Sequence, residues 1–137
     1  MQSRLVALLL CCIGLRAAAE DLTIQVRHVT SDAGPVMVAV YDKPGDFPAP
    51  HKWLAGQAIE AHGDSAVAVF HGLAAGRYAV AAYQDLNRNG KLDKNFLGLP
   101  TEPYGFSKDA RGSLGPPSFD AAAVDVPASA RVIITLR

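Results

Sequence analysis

LTIQVR (Leu22–Arg27) alternates apolar Leu22, Ile24 and Val26 with polar Thr23, Gln25 and Arg27. A period of two sends successive side chains to opposite faces, so this stretch predicts a strand with one buried face. Past the turn SDAGP, the run Val36–Tyr41 sets Val36, Val38 and Val40 on one face and Met37, Ala39 and Tyr41 on the other, as in a strand covered on both sides. These first two strands suit a hairpin. Strand patterns recur at Ser65–Phe70, Gly76–Tyr83, Ala122–Val126 and Arg131–Leu136, which makes six, and Ala58–Ala61 is a candidate seventh. Lys43–Gln57, with three prolines, two glycines and the apolar anchors Phe47 and Trp53, reads as a long ordered loop or a loop with one short helical turn.

No apolar 3.6-residue period persists beyond the N-terminal segment. Short strands divided by turn signals therefore predict an all-β chain, an antiparallel β-sandwich of immunoglobulin-like or prealbumin-like layout. The region Asp85–Asp120 breaks the pattern, with four of the nine prolines and almost no period-two alternation. Unpatterned connections of that length inside a compact domain are typically functional or disordered. Phe96, Leu97, Leu99, Tyr104, Phe106 and Phe119 are apolar content that disorder disfavours, so one long ordered excursion packed over an end of the sandwich is expected.

MQSRLVALLLCCIGLRAAAE opens with Arg4, an apolar run Leu5–Leu15 and small residues at Ala17, Ala18 and Ala19. This is the layout of a secretory signal, with cleavage expected after Ala19 and residues 20–137 left as a single domain. A lipoprotein signal cut before Cys11 or Cys12 is disfavoured, because bulky leucines or another cysteine, rather than small residues, lie just before each cysteine. The expected localisation is periplasmic or secreted. The apolar run is too short to span a bilayer, which takes about 20 residues, so the product is not expected to be integral to a membrane.

The processed chain would contain no cysteine, hence no disulfide, and must be held by its own core. Its 11 basic and 13 acidic residues leave a charge of −2 with no basic cluster, which excludes an electrostatic footprint for nucleic acid.

The segment DLNRNGKLD (Asp85–Asp93) puts oxygen-bearing side chains at every second position before a glycine. Ca²⁺ takes six to eight oxygen ligands, and a curved loop can aim such alternating residues at one centre. Asp85, Asn87, Asn89, the backbone carbonyl of Lys91, and Asp93 are the candidate ligands, in the order of the first nine positions of a helix-loop-helix calcium loop. The glutamate expected at the twelfth position is replaced by Phe96, and Arg88, Lys91 and Lys94 bring three positive charges, so any such site would be weak. Glu102 could fold back as the missing carboxylate. The other reading is a turn in which Asp85 and Asn87 bond their own backbone.

His28, His51, His62 and His71 lack metal-ligand spacing. Ser107 and Ser118 lie near Asp109 and Asp120 but in no nucleophile elbow. With Glu102, the aromatic residues Tyr104, Phe106 and Phe119 form a candidate ligand or partner surface.

The run GRYAVAAYQDLNRNGKLDKNFLGLPTEPYGFS, followed by GPPSF and AAAVDV, resembles domain of unknown function family 2141, uncharacterised exported bacterial proteins. The resemblance reaches from the first strand to the last. Its most specific parts are Gly76–Val80, Asp85–Asp93, Gly98–Ser107 and Pro116–Phe119. Only the two lysines flanking the carboxylate loop stand outside the family's pattern. It implies a prealbumin-like or immunoglobulin-like sandwich and no assigned reaction.

The functional expectation is an exported, non-enzymatic binding module for an unknown protein or small ligand, with Ca²⁺ as a candidate brace of the loop. The alternatives are a small periplasmic enzyme using loop carboxylates as acid and base, and a structural module of an envelope assembly.

Overall fold

The computed structural model describes Gly14 and residues 18–137. The expected signal segment, both cysteines included, lies almost wholly outside them. Eight strands form two sheets: β1 (Glu20–Arg27), β2 (Val36–Tyr41), β3 (Ala55–Ile59), β4 (Ser65–Leu73), β5 (Gly76–Gln84), β6 (Tyr104–Phe106), β7 (Val124–Val126) and β8 (Arg131–Thr135). One sheet runs β4-β1-β8, the other β3-β2-β5-β6, and β7 pairs with the start of β5.

The inward rows carry the period-two pattern. Leu22, Ile24 and Val26 of β1, with Val132 and Ile134 of β8 and Ala66, Ala68 and Phe70 of β4, face Val36, Val38 and Val40 of β2 and Tyr78, Val80 and Ala82 of β5. Leu22, Ile24, Val26, Val36, Val40, Val80 and Ile134 are completely shielded from solvent. At about 25 cal/mol per Å² of apolar area, this interlayer burial is the principal stabilisation of the fold.

A second apolar cluster lies on the opposite face of the β2–β5 sheet. Phe119 and Ala122 of a single-turn helix α1 (Phe119–Ala122), with Ala123, pack on Tyr41 and Ala79. Phe47 sits among them edge-on, its ring centroid 5.3 Å from that of Tyr41, 5.7 Å from Phe106 and 6.1 Å from Phe119. This second layer is why β2 has apolar residues on both faces.

Several expectations are corrected. β1 does not form a hairpin with β2; it pairs with β4 antiparallel and β8 parallel, so the sandwich is not purely antiparallel. Placing β1 and β2 in opposite sheets lets their apolar rows bury each other, which edge pairing would not. The seventh strand occupies Ala55–Ile59 rather than Ala58–Ala61, and Ala122 belongs to α1 rather than to the following strand. The Lys43–Gln57 stretch contains no helix, only turns that run into β3.

The long excursion is in fact two, divided by β6, an element too short to show a period. Phe96, Leu97 and Leu99 do not pack on the sandwich; they are 96%, 68% and 57% exposed.

Ser107, completely buried, fills the gap between the pairing of β5 with β7 over Gly76–Tyr78 and with β6 over Ala81–Tyr83. Its Oγ accepts from Val80 N–H at 2.9 Å and donates to the Ala122 carbonyl at 2.6 Å. On the far side of β6 the sheets are stitched together, since Tyr104 and Arg137 exchange backbone hydrogen bonds of 3.2 and 3.0 Å. Gly105 permits this approach, because a Cβ there would lie 2.8 Å from Ile134 Cγ2 and 2.9 Å from the Thr135 carbonyl oxygen.

Candidate functional site

The site begins where β5 leaves the core. Gln84 continues the inward row of Tyr78, Val80 and Ala82, so a polar side chain is fully buried there and must find partners. It finds them in the β1–β2 connection, accepting from Thr30 N–H at 2.9 Å and donating to the carbonyls of Thr30 at 2.7 Å and Gly34 at 3.0 Å. Asp85 N–H then donates to the Pro35 carbonyl. Gly34, at φ +136°, passes so close that any Cβ would overlap the Asp85 carbonyl. The chain therefore enters the loop from a rigid footing.

Two buried carboxylates shape the loop that follows. Asp85, 2% exposed, accepts from Asn89 N–H at 3.1 Å on one oxygen and from Gly90 N–H at 2.7 Å on the other. Glu102, 6% exposed, folds back and accepts from Leu86 N–H and Asp93 N–H, each at 3.0 Å, clasping the two limbs. Among the described residues neither carboxylate enters an ion pair, so these backbone N–H groups are the partners that hold them.

Asp93 sits above this base, receiving amide N–H bonds from Asn87 and from Asn89, the latter at 2.8 and 3.0 Å. The Asn87 and Asn89 side-chain oxygens close turns onto Asn89 N–H at 3.3 Å and Lys91 N–H at 3.2 Å. Asp85, Asn87, Asn89 and Asp93 thus form one bonded group, with Arg88 and Gly90 in left-handed conformation at φ 56° and 78°. Among the described residues no three His, Cys, Asp or Glu side chains come together as a metal-binding group. A cation here would depend on the Asn87 and Asn89 amide oxygens and on the Lys91 carbonyl as well as on the two aspartates.

Around the group stand Arg88, expected from the sequence only as a positive charge that weakens a cation site, and Glu60 and Tyr83, which the sequence did not single out. Arg88 reaches across to Glu60 with two hydrogen bonds of 2.9 and 3.2 Å. Bonding by Arg88 holds the Glu60 carboxyl below the usual carboxylate range. Tyr83, on the outer face of β5 opposite Tyr104, has its phenol pushed up to about 12, first by desolvation and then by the negative charges of Asp85, Glu102 and Asp93. The inward phase of Gln84 was the one available signal for its role; nothing local in the sequence pairs Arg88 with Glu60.

Of the remaining candidates, Tyr104 and Phe106 are half-buried on the outer sheet face with ring centroids 6.0 Å apart. Phe119 is 6% exposed inside the second apolar cluster. Ser118 caps α1 by accepting from Ala121 N–H, and Ser107 has the interior role described above. His62 faces Asp32 and His71 faces Asp21 at the surface.

Beyond Asp93 the loop narrows into a turn. Lys94 pairs with Pro100, and Asn95 closes the tip by accepting on its side-chain oxygen from Leu97 N–H at 2.9 Å and Leu99 N–H at 3.1 Å. A tight, internally bonded turn thus carries three exposed apolar side chains on a base fixed by Asp85 and Glu102.

A family model described as "Uncharacterized protein conserved in bacteria (DUF2141)" matches residues 24–134, from within β1 to within β8. The chain belongs to this family. DUF2141 therefore takes in the sandwich, the carboxylate-braced loop and its apolar tip together. No curated protein and no solved structure matches the chain. Among the described residues of this DUF2141 member, no helix is long and apolar enough to cross a membrane.

Proposed function

We propose that this DUF2141 chain is an exported, non-enzymatic binding module that engages its partner through the excursion between Asp85 and Phe119, with Ca²⁺ bracing the loop base. The observation that carries this reading is the tip: Phe96, Leu97 and Leu99 stand in solvent on a loop whose base is fixed by buried carboxylates. Clustered exposed apolar side chains on an ordered scaffold mark interaction sites. Export is supported by the N-terminal alternation of a basic residue, an apolar run and small residues.

Acid-base catalysis by the loop carboxylates is the weaker reading. A catalytic carboxyl must exchange its proton with a substrate, whereas Asp85 and Glu102 are each committed to two backbone N–H groups. Two surface depressions, one beside Arg27 and His28 and one beside Lys108 and Ser129, include neither of them.

The test is retention from envelope extract on the immobilised protein and on the double variant Phe96→Ser, Leu99→Ser. The wild type is expected to hold a protein or lipid that the variant releases. Identical retention by the two would refute the role of the tip.

A further inference from the structure

The loop presents its charges asymmetrically. Its acidic groups are engaged within the loop: Asp85 and Glu102 are buried against backbone N–H groups, and the half-buried Asp93 accepts from the Asn87 and Asn89 amides. On the neighbouring loops Glu60 is engaged by Arg88 and Asp32 by His62, and Asp64 shares a depression with Arg27 and His28. Lys91 and Lys94 are exposed and, among the described residues, enter no ion pair. The outermost part of the loop is thus cationic at its shoulder and apolar at its point.

The backbone of the point is arranged in a second, independent way. Asn95 N–H donates to the Leu99 carbonyl at 2.9 Å and Gly98 N–H to the Asn95 carbonyl at 3.0 Å, while Leu97 and Leu99 N–H share the Asn95 side-chain oxygen. From Asn95 to Leu99 every N–H except that of Phe96 is thus paired within the turn, while the carbonyls of Phe96, Leu97 and Gly98 have no partner among the described residues. Pairing donors within the turn lowers the cost of bringing it to a lipid interface, where lipid tails offer no replacement bond and the unpaired carbonyls stay within reach of headgroup water. A protein partner could supply such bonds itself and sets no such requirement.

We infer that the tip docks on an anionic lipid surface, with Phe96, Leu97 and Leu99 entering the interface and Lys91 and Lys94 meeting the headgroup phosphates. This rests on the reading of the loop as the binding element and names its partner. Apolar insertion and electrostatic attraction add in such contacts, and each lysine near an anionic surface is worth roughly a fivefold gain in binding.

Flotation of the purified protein with phosphatidylcholine vesicles, without and with phosphatidylglycerol, tests this. The wild type is expected to float with the phosphatidylglycerol vesicles and not with phosphatidylcholine alone. Phe96→Ser with Leu97→Ser is expected to lower that binding by about tenfold or more, from the lost apolar burial. Lys91→Gln with Lys94→Gln is expected to lower it by roughly fivefold per lysine. Far-ultraviolet circular dichroism should be the same for all three proteins, because the substituted side chains are exposed. Absence of binding to either vesicle, or binding that survives Phe96→Ser with Leu97→Ser, overturns the lipid assignment. Should the vesicles fail while a protein partner is retained from extract through Phe96 and Leu99, the lipid assignment falls and the binding role of the loop stands. Should neither readout depend on the tip, both fall.

Discussion

Asp85 bonds two backbone N–H groups from a position 2% exposed, so its replacement removes charge-assisted bonds rather than a surface charge. Asp85→Ala should cost about 1–3 kcal/mol, read from the urea unfolding midpoint, and Asp85→Asn less because one acceptor oxygen survives. Were Ca²⁺ to brace the loop, millimolar Ca²⁺ added to chelator-treated protein would raise the Tm by mass action, and Asp85→Ala would abolish the rise. An unchanged Tm in the wild type removes the cation from the proposal. Gly34 makes a stricter demand, as both its φ of +136° and the Asp85 carbonyl beside it exclude a side chain. The oxygen spacing of DLNRNGKLD was legible in the sequence, whereas Glu102 figures there only as a missing cation ligand. Its clasp on Leu86 and Asp93 was not legible, because that contact spans a loop whose path no local period describes.

β6 is three residues long, yet it joins the two sheets at the base of the site. Its alternation is Tyr104 out, Gly105 in, Phe106 out, and with a glycine as the only inward residue no hydrophobic signal announces a strand. Gly105→Ala would press a methyl group against Ile134 and the Thr135 backbone, for a loss of about 1–3 kcal/mol by overpacking. Ser107→Ala deletes the hydroxyl that joins Val80 to Ala122 and strands both backbone groups in the interior, again for about 1–3 kcal/mol. Denaturant unfolding of each variant checks these losses, and wild-type stability in either would mean that the β5–β6–β7 edge does not depend on these contacts. The longer strands were legible because each has enough residues to repeat its period against a core. β6 and α1 hold their conformations through neighbours distant in sequence.

Across the molecule, Tyr41, Tyr78 and Tyr83 all have phenols raised by burial, Tyr83 furthest, from 10.0 to about 12. A phenol harder to ionise in the folded state contributes stability that is fully present below pH 10.0 and lost as the pH climbs toward about 12. Unfolding midpoints measured across that interval should therefore fall, and Tyr83→Phe should reduce the fall without removing it, since Tyr41 and Tyr78 remain. A flat profile in the wild type would contradict the burial of these rings. The amino-acid sequence alone determined that the described chain is built of strands, that its core rests on alternating valine, leucine and isoleucine, that no cysteine past residue 19 can staple it, and that one oxygen-rich loop stands apart. Those properties are local, written in the period and chemistry of neighbouring residues. Which sheet each strand joins, the parallel pairing of β1 with β8, the division of the excursion by β6 and the outward projection of Phe96, Leu97 and Leu99 were decided only in three dimensions. An apolar side chain has the same chemistry in a core and at a tip, and what separates the two is whether distant parts of the chain arrive to cover it.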